Sequence, residues 1–443
     1  MVICGGPETT LSAHPRGRTS RGECGRGDPP CPFHVTAPPD VPQLSTRRVV
    51  AAVVALALGG FAIGTTEFVT MGVLPEIAEG VGVDIPTAGH VISAYALGVV
   101  VGAPVLAALG ARLPRRGLLV GLVIAFLLGN LGSALAVGPS SLLLARFVSG
   151  LPHGAYFGVA SLVAASLVRA ELRGRAVSSV MLGLAVANLA GVPAATWLGQ
   201  TLGWRAAYWA VVGLAVATVL AVLAFVPSSP GRSEVTIATE LTALRRPQVL
   251  LTLLVGTVGF GGMFAVYSYV SPLSTEEAGL PRGAVPWVLL VFGVGGVLGT
   301  ALGGRLADLA LFRSLVGAMG TMGLLLALVA LTAGWAPGLL ITLFLLSATA
   351  SVLVVTLQLR LMEVAGDAQM LGAALNHSAL NAANALGAWL GGVVIAAGLG
   401  WTAPAAVGAA LAAVGLAALT ASALLRRREQ RTGPVRTAPA PAQ

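Results

Sequence analysis

Lysine is absent from the chain, so all 26 basic residues are arginine, and charged residues of every kind make up only 10% of 443. Soluble domains carry about 25% charged residues. At 56% hydrophobic residues and a mean hydropathy of +0.88, a water-soluble form would have to bury nearly all of itself. No globule of ordinary surface-to-volume ratio does that. The shortage of charge excludes a soluble enzyme and a disordered protein. The net charge of +9 does not point to nucleic acid either, because the arginines sit in short segments between apolar runs.

Cysteine is scarce as well. Cys4, Cys24 and Cys31 all fall within residues 1–48, and their spacing with His34 matches no zinc pattern. No apolar core of signal-peptide length lies in that stretch, which reads as a disordered N-terminal extension. A Walker-type glycine loop is missing, which excludes direct ATP hydrolysis. Catalytic sets are missing at credible depth and spacing, so neither enzyme chemistry, metal nor cofactor is expected.

What the chain does have is long apolar runs. About 20 residues cross the hydrocarbon as a helix, and hydropathy yields twelve such segments. They cover roughly 49–74, 86–109, 117–137, 141–168, 175–200, 204–226, 249–273, 284–309, 314–334, 337–362, 369–398 and 401–425. The fold class predicted is an all-α membrane protein. Its twelve transmembrane helices form two pseudo-symmetric six-helix bundles, 49–226 and 249–425. A cytoplasmic linker, 227–248, divides them, and a disordered tail, 426–443, follows. Arg112, Arg115, Arg116, Arg169, Arg173, Arg175, Arg232, Arg245, Arg246, Arg305, Arg313, Arg360 and Arg426–Arg428 collect on one side. Only Arg205 and Arg282 fall on the other, so both termini are predicted to be cytoplasmic.

The halves repeat. Leu109-Gly110-Ala111-Arg112-Leu113 recurs as Leu302-Gly303-Gly304-Arg305-Leu306, Asn188-x-x-Gly191 as Asn384-x-x-Gly387, and Leu202-Gly203-Trp204 as Leu399-Gly400-Trp401. The three offsets lie between 193 and 197 with order preserved, which argues for duplication. Paired six-helix halves are a recurrent transporter architecture.

Two full charges lie well within the spans, Glu67 in the first and Arg146 in the fourth. An ionisable residue at the bilayer centre costs roughly 2.5–3.5 kcal/mol on insertion scales, so both are expected to face the interior. At 1.5 Å per residue they sit ~10 Å and ~8 Å below the outer surface. They could meet there as a static ion pair, or Glu67 could carry a proton while Arg146 tunes it or binds substrate. Arg146, Gly150, His153, Gly154 and Phe157 share one helical face. His153 is either a buried neutral histidine satisfied by a carbonyl or a contact for substrate or proton. Further candidates for a substrate cavity are Asn188, His377, Asn381 and Tyr267, against interhelical glue or aromatic packing as the alternatives. His90, in the first turn of the second span, reads as part of an outer gate.

The combined motifs resemble the major facilitator superfamily. Thr65-Thr66-Glu67-Phe68 through Pro75 is similar to its bacterial drug:proton antiporter branch. Ala88–Ser93 through Pro104, Arg146–Gly154 and Val186–Pro193 resemble arabinose-efflux (AraJ-type) permeases. The resemblance covers roughly residues 49–425. It implies that Arg146 takes part in proton coupling and that the motif Gly183–Pro193, with Gly191 and Pro193, serves conformational change. The family's loop between spans 2 and 3 carries an aspartate. Here it reads Gly110-Ala111-Arg112-Leu113-Pro114-Arg115-Arg116-Gly117 with none, whereas the second copy keeps Arg305 and Asp308. Any surviving charge relay at the cytoplasmic gate is therefore expected at Asp308, with Arg305. The function expected is export of a small drug-like or sugar-like solute against protons by alternating access, with an uncoupled facilitator as the alternative. Expected partners are the solute, protons and the bilayer, with no nucleic acid, and the chain acting as a monomer.

Overall fold

The computed structural model describes residues 45–110, 113–169, 172–228, 245–366 and 369–432. Most of the expected N-terminal extension, the middle of the linker, Arg112 and the tail beyond 432 lie outside these described residues. Nearly everything described is helix. Span 1 is Thr46–Gly72, followed by a short helix Leu74–Val81; spans 2, 3 and 4 are Ile85–Gly110, Arg115–Ala134 and Pro139–Ser166. Span 5 is Arg173–Val186 continued through a π-turn, Ala187–Gly191, into Val192–Leu202, and span 6 is Trp204–Phe225. Span 7 starts at Pro247, passes a π-turn at Val255–Gly259 and runs to Tyr267; spans 10, 11 and 12 are Ala336–Ala365, Gln369–Ala396 and Ala403–Thr432.

Spans 8 and 9 form one continuous helical run, Arg282–Thr332, of 51 residues. It is one of eleven helices among the described residues long and apolar enough to cross a membrane. At 1.5 Å per residue it would be ~75 Å long, more than twice a ~30 Å hydrocarbon core. Ala310 resolves the discrepancy: its φ of −163° and ψ of 76° break the helix. Eleven helical runs therefore make twelve crossings, and the expected loop at 310–313 is reduced to a sharp kink.

Local sequence explains the starts and bends. Pro139, Pro247 and Pro286 occupy first-turn positions, where a missing N–H costs nothing. In span 5, Pro193 cannot donate to the carbonyl four residues back, and the π-turn just before it takes up the misfit. Gly203 and Gly400 precede spans 6 and 12 with φ of +90° and +85°, values that favour glycine. They stand at equivalent places in the two halves, as their repeated Leu-Gly-Trp context predicts.

Packing confirms the duplication at the level of atoms. A Cβ on Gly98 or Gly102 of span 2 would overlap the carbonyls of Phe147 or Leu151 of span 4. A Cβ on Gly295 or Gly299 of span 8 would overlap those of Phe344 or Ala348 of span 10. Every residue in the second set lies 197 positions after its counterpart. Small residues here let two backbones touch, the usual basis of helix association in lipid. The crossing of spans 1 and 5, where Gly183 meets Ala57 and Phe61, recurs as Gly387 against Gly261 and Ala265, 204 residues on. Gly183, not Gly191, is therefore the counterpart of Gly387. The Asn188 and Asn384 motifs match in sequence but sit two turns apart in equivalent helices.

Span 12 runs seven residues past its expected end, so Arg426–Thr432 is helix rather than tail. The physical reason is a polar knot that ties spans 7, 10 and 12 on the side of the termini. Arg360, buried rather than in an open loop, pairs with Glu363 at 2.7 Å and donates to Gln248 Oε1 at 3.1 Å. Ser422 donates to the same oxygen at 2.6 Å, and Arg426 comes within 3.9 Å of Glu363. Arginines in a last turn also complement the helix dipole.

Candidate site between the two halves

Arg146 is wholly buried in span 4 and organises the centre of the first half. Its Nη1 donates to Thr66 Oγ1 and its Nη2 to the Thr66 carbonyl, both at 3.1 Å. Thr66 Oγ1 donates in turn to Asn130 Oδ1 at 2.5 Å. The guanidinium lies over the ring of Tyr95, 4.3 Å from its centroid, and 5.5 Å from that of Tyr208. Spans 1, 2 and 6 thus hold one cation supplied by span 4, and span 3 braces the threonine that binds it.

Glu67 is 6% exposed, yet it does not pair with Arg146. The expected meeting of the two charges therefore does not occur. One residue along a helix is a 100° turn. Thr66 faces the guanidinium, and Glu67 is carried round toward the other half. Its electrostatic neighbours are Arg146, Tyr95 and, from span 7, Tyr267.

His153 is satisfied by a hydroxyl rather than a carbonyl: its Nδ1 lies 3.0 Å from Tyr95 Oη. Its ring is 5.3 Å from Phe157, and Phe157 stacks on His377 of span 11 at 6.1 Å with planes 3° apart. A ladder of rings thus runs from Arg146 through Tyr95, His153 and Phe157 to the second half. Tyr267 joins the halves a second way, edge-on to Phe68 at 5.9 Å and stacked on Phe292 at 4.3 Å.

On the side away from the termini the halves close on each other. Ser93 donates to the Ala385 carbonyl at 3.1 Å, a hydrogen bond between the halves. Gly89 lies against Tyr269, Gly392 near the Pro86 carbonyl, and Gly72 against Leu289. Gly293 of span 8 meets the Asn188 carbonyl, so Asn188 contributes backbone rather than side chain to this seam. Gly191 packs on Phe61 and Thr65 of span 1, and Pro193 is buried. His90 is exposed beside an outer groove with Ser93 and Trp389. Just outside the span, burial lifts the Glu76 carboxyl above its ordinary range, while its own helix backbone and Arg282 of the second half pull it back.

The gate candidates on the other side are not assembled in this state. Gly110 packs against Leu118 and Arg115 is half-buried, while Arg116 donates to the Leu223 carbonyl. Arg305 and Asp308 are both exposed, just before the kink, and form no ion pair. Among the described residues, neither therefore has the charge partner that a relay at Asp308 would use.

Residues 56–370 match the family model of the Major Facilitator Superfamily. The chain belongs to that superfamily. It is 42% identical over 362 residues to the inner membrane transport protein YdhP of Escherichia coli K12, covering 82% of this chain and 93% of YdhP. It is 37% identical over 257 residues to a chloramphenicol resistance protein of Streptomyces lividans, covering 57% of this chain and just under two thirds, 66%, of that one. Its fold matches the crystal structure of a D-xylose–proton symporter with a TM-score of 0.67 at 18% identity, over 84% of this chain and 97% of that one. The protein is a multi-pass membrane transporter of this superfamily, not an enzyme.

Thr66, Tyr95, Asn130 and Phe292 escaped the reading of the sequence. Neutral polar and aromatic side chains give no signal by depth alone; the signal was Arg146, a buried cation that must find partners on neighbouring helices. Thr66→Val removes the hydroxyl at constant shape and strands both Arg146 Nη1 and Asn130 Oδ1. Hydrogen bonds to charged groups contribute about 1.5–3 kcal/mol. The detergent-solubilised variant is expected to melt several degrees below wild type, and Thr66→Ser to restore it.

Proposed function

We propose that this transporter exports a small organic solute, drug-like or sugar-like, in exchange for protons, and that Glu67 carries the proton. One observation supports the reading above others. Among the described residues Glu67 is the only carboxyl at lipid depth, with Arg146 of the first half and Tyr267 of the second as electrostatic neighbours, and it has no ion-pair partner. Enclosing an uncompensated carboxylate is costly, and a proton removes that cost. The carboxyl would load its proton where the far side opens and release it where the termini side opens. The placement of arginines supports a cytoplasmic location of the termini side, which would give the present arrangement, sealed on the far side, the character of an inward-facing state.

The two bundles, 49–226 and 249–425, would rock about the site as rigid bodies, joined by the cytoplasmic linker 227–248. One chain contains both, so a monomer in the cytoplasmic membrane suffices. His153, Asn188, His377, Asn381 and Tyr267 are offered as the cavity lining, with Gly110, Arg112, Arg115, Arg116, Arg305 and Asp308 as the cytoplasmic gate and Gly191 and Pro193 as the flexible point of span 5. One charge crossing 100 mV yields about 2.3 kcal/mol, enough for roughly a fifty-fold gradient. The relative named for chloramphenicol resistance favours export and supplies a first probe.

The test uses proteoliposomes with a pH dye inside. Entry of chloramphenicol through the protein is expected to drive protons out and raise the lumenal pH. Entry without a pH change would make the protein a facilitator and remove the proton from the mechanism.

A further inference from the structure

Asn381 and Asn384 carry polar atoms that the packing leaves without partners. Both side-chain atoms of Asn384 and the Oδ1 of Asn381 are buried and bond to nothing among the described residues, while Asn381 Nδ2 only donates back to the His377 carbonyl. The two residues are 1% and 4% exposed. A buried polar group left unpaired costs about 1–3 kcal/mol, and native proteins hold few of them.

Their direction follows from the contacts of span 11. Gly387 faces span 7, where it meets the Gly261 carbonyl, and the Ala385 carbonyl faces span 2, where it receives Ser93. Between those two sectors lie His377, Asn381, Asn384 and Ala388, at i, i+4, i+7 and i+11 on one face. His377 stacks on Phe157, so this face confronts the face of span 4 that bears Arg146, Gly150, His153 and Phe157. The two helices run antiparallel, which sets Asn381 at the level of His153 and Asn384 at the level of Gly150. The amides therefore lie on the face of span 11 turned to the junction of the halves, across from a histidine already engaged with Tyr95.

We propose that Asn381 and Asn384 form the hydrogen-bonding wall of the transport site, and that the solute is a neutral, ring-bearing compound with adjacent hydroxyl or amide groups. This deepens, and rests on, the transporter reading above. A primary amide both donates and accepts, and so pairs with a group that does both. The rings of Tyr267, Phe292 and Phe68 meet at the same junction of the halves and supply flat apolar surface there. With Glu67 protonated for exchange, the site keeps one fixed guanidinium, which disfavours a cationic solute. A lipophilic cation would leave both amides unpaired.

Calorimetric titration of the purified full chain in detergent tests this, with phenyl β-D-glucopyranoside as the hydroxyl-bearing ring and tetraphenylphosphonium as the cation. The glucoside is expected to bind and the cation not. Asn384→Leu and Asn381→Leu are each expected to weaken glucoside binding at least tenfold while leaving the ligand-free melting temperature equal to or above wild type. The idea is overturned if wild type does not bind the glucoside or binds the cation in its place. It is equally overturned if the leucine variants bind as wild type does, or if they melt several degrees lower, which would make the amides packing contacts. Binding is read without a gradient, so failure of proton coupling and failure of this assignment are separate results.

Discussion

Glu67→Gln should abolish proton-driven export while the protein still folds, inserts and binds solute. Glutamine keeps the shape and the polarity of the side chain and removes only its ability to exchange a proton. Glu67 makes no ion pair and no hydrogen bond whose loss would destabilise the first half, so a collapse of the fold is not expected. The Arg146 cluster is built on Thr66, Tyr95 and Asn130 and survives the change. Uptake into proteoliposomes under an imposed pH gradient is expected to fall to the level of empty vesicles, and solute exchange without a gradient to persist. Wild-type sensitivity to the pH gradient in the variant would remove Glu67 from the coupling step. A lower melting temperature with coupling intact would make it a packing residue.

The second large effect concerns folding. Gly102→Ala places a methyl group in the carbonyl of Leu151, and Gly299→Ala does the same at Ala348 in the other half. In both places the obstacle is backbone, which cannot swing aside as a side chain does. Overpacking in a close-packed interior costs about 1–3 kcal/mol, occasionally more, and here two helices must separate. Both variants are expected to give little monodisperse protein by fluorescence-detected size exclusion and to melt well below wild type. Gly117→Ala and Gly121→Ala, where nothing lies within 4 Å of the new methyl group, are the matched controls. Equal damage at 102 and 299 would show that the two crossings contribute equally to the fold. Wild-type behaviour of both would mean that the close approach is not required.

Much of the fold was legible because lipid imposes a simple rule: every crossing needs about 20 apolar residues. The twelve crossings, the short connections and the duplication followed from that rule and from recurring glycine motifs. The break between spans 8 and 9 was placed at 310–313, but its form was not legible: Leu-Ala-Asp-Leu-Ala-Leu is ordinary helix-forming sequence, and the expected loop is a kink at Ala310. The true register of spans 5 and 11 was missed because a match of Asn and Gly letters cannot reveal which glycine touches the partner backbone. Depth placed Glu67 and Arg146 at one level correctly but could not say that they point apart, since azimuth depends on neighbours. His153 and His377 were found as polar outliers in apolar helices and Phe157 on the face of His153, whereas the stacking of Phe157 on His377 of the other half depends on how the halves meet and was not legible.

The two halves are twins in backbone but not in chemistry. Applying the 197-residue spacing of their glycine contacts, Arg146 corresponds to Leu343, Tyr95 to Phe292 and His153 to Ala350. One twin is wired and the other is mute. The ionisable pair at lipid depth, Glu67 and Arg146, is thus carried by the leading bundle alone. Its sibling meets that bundle through neutral seams, among them the Phe157–His377 ring stack and the Ser93–Ala385 bond, so in the proposed exchange the second bundle would be driven through packing. Duplication has left a motor and a load.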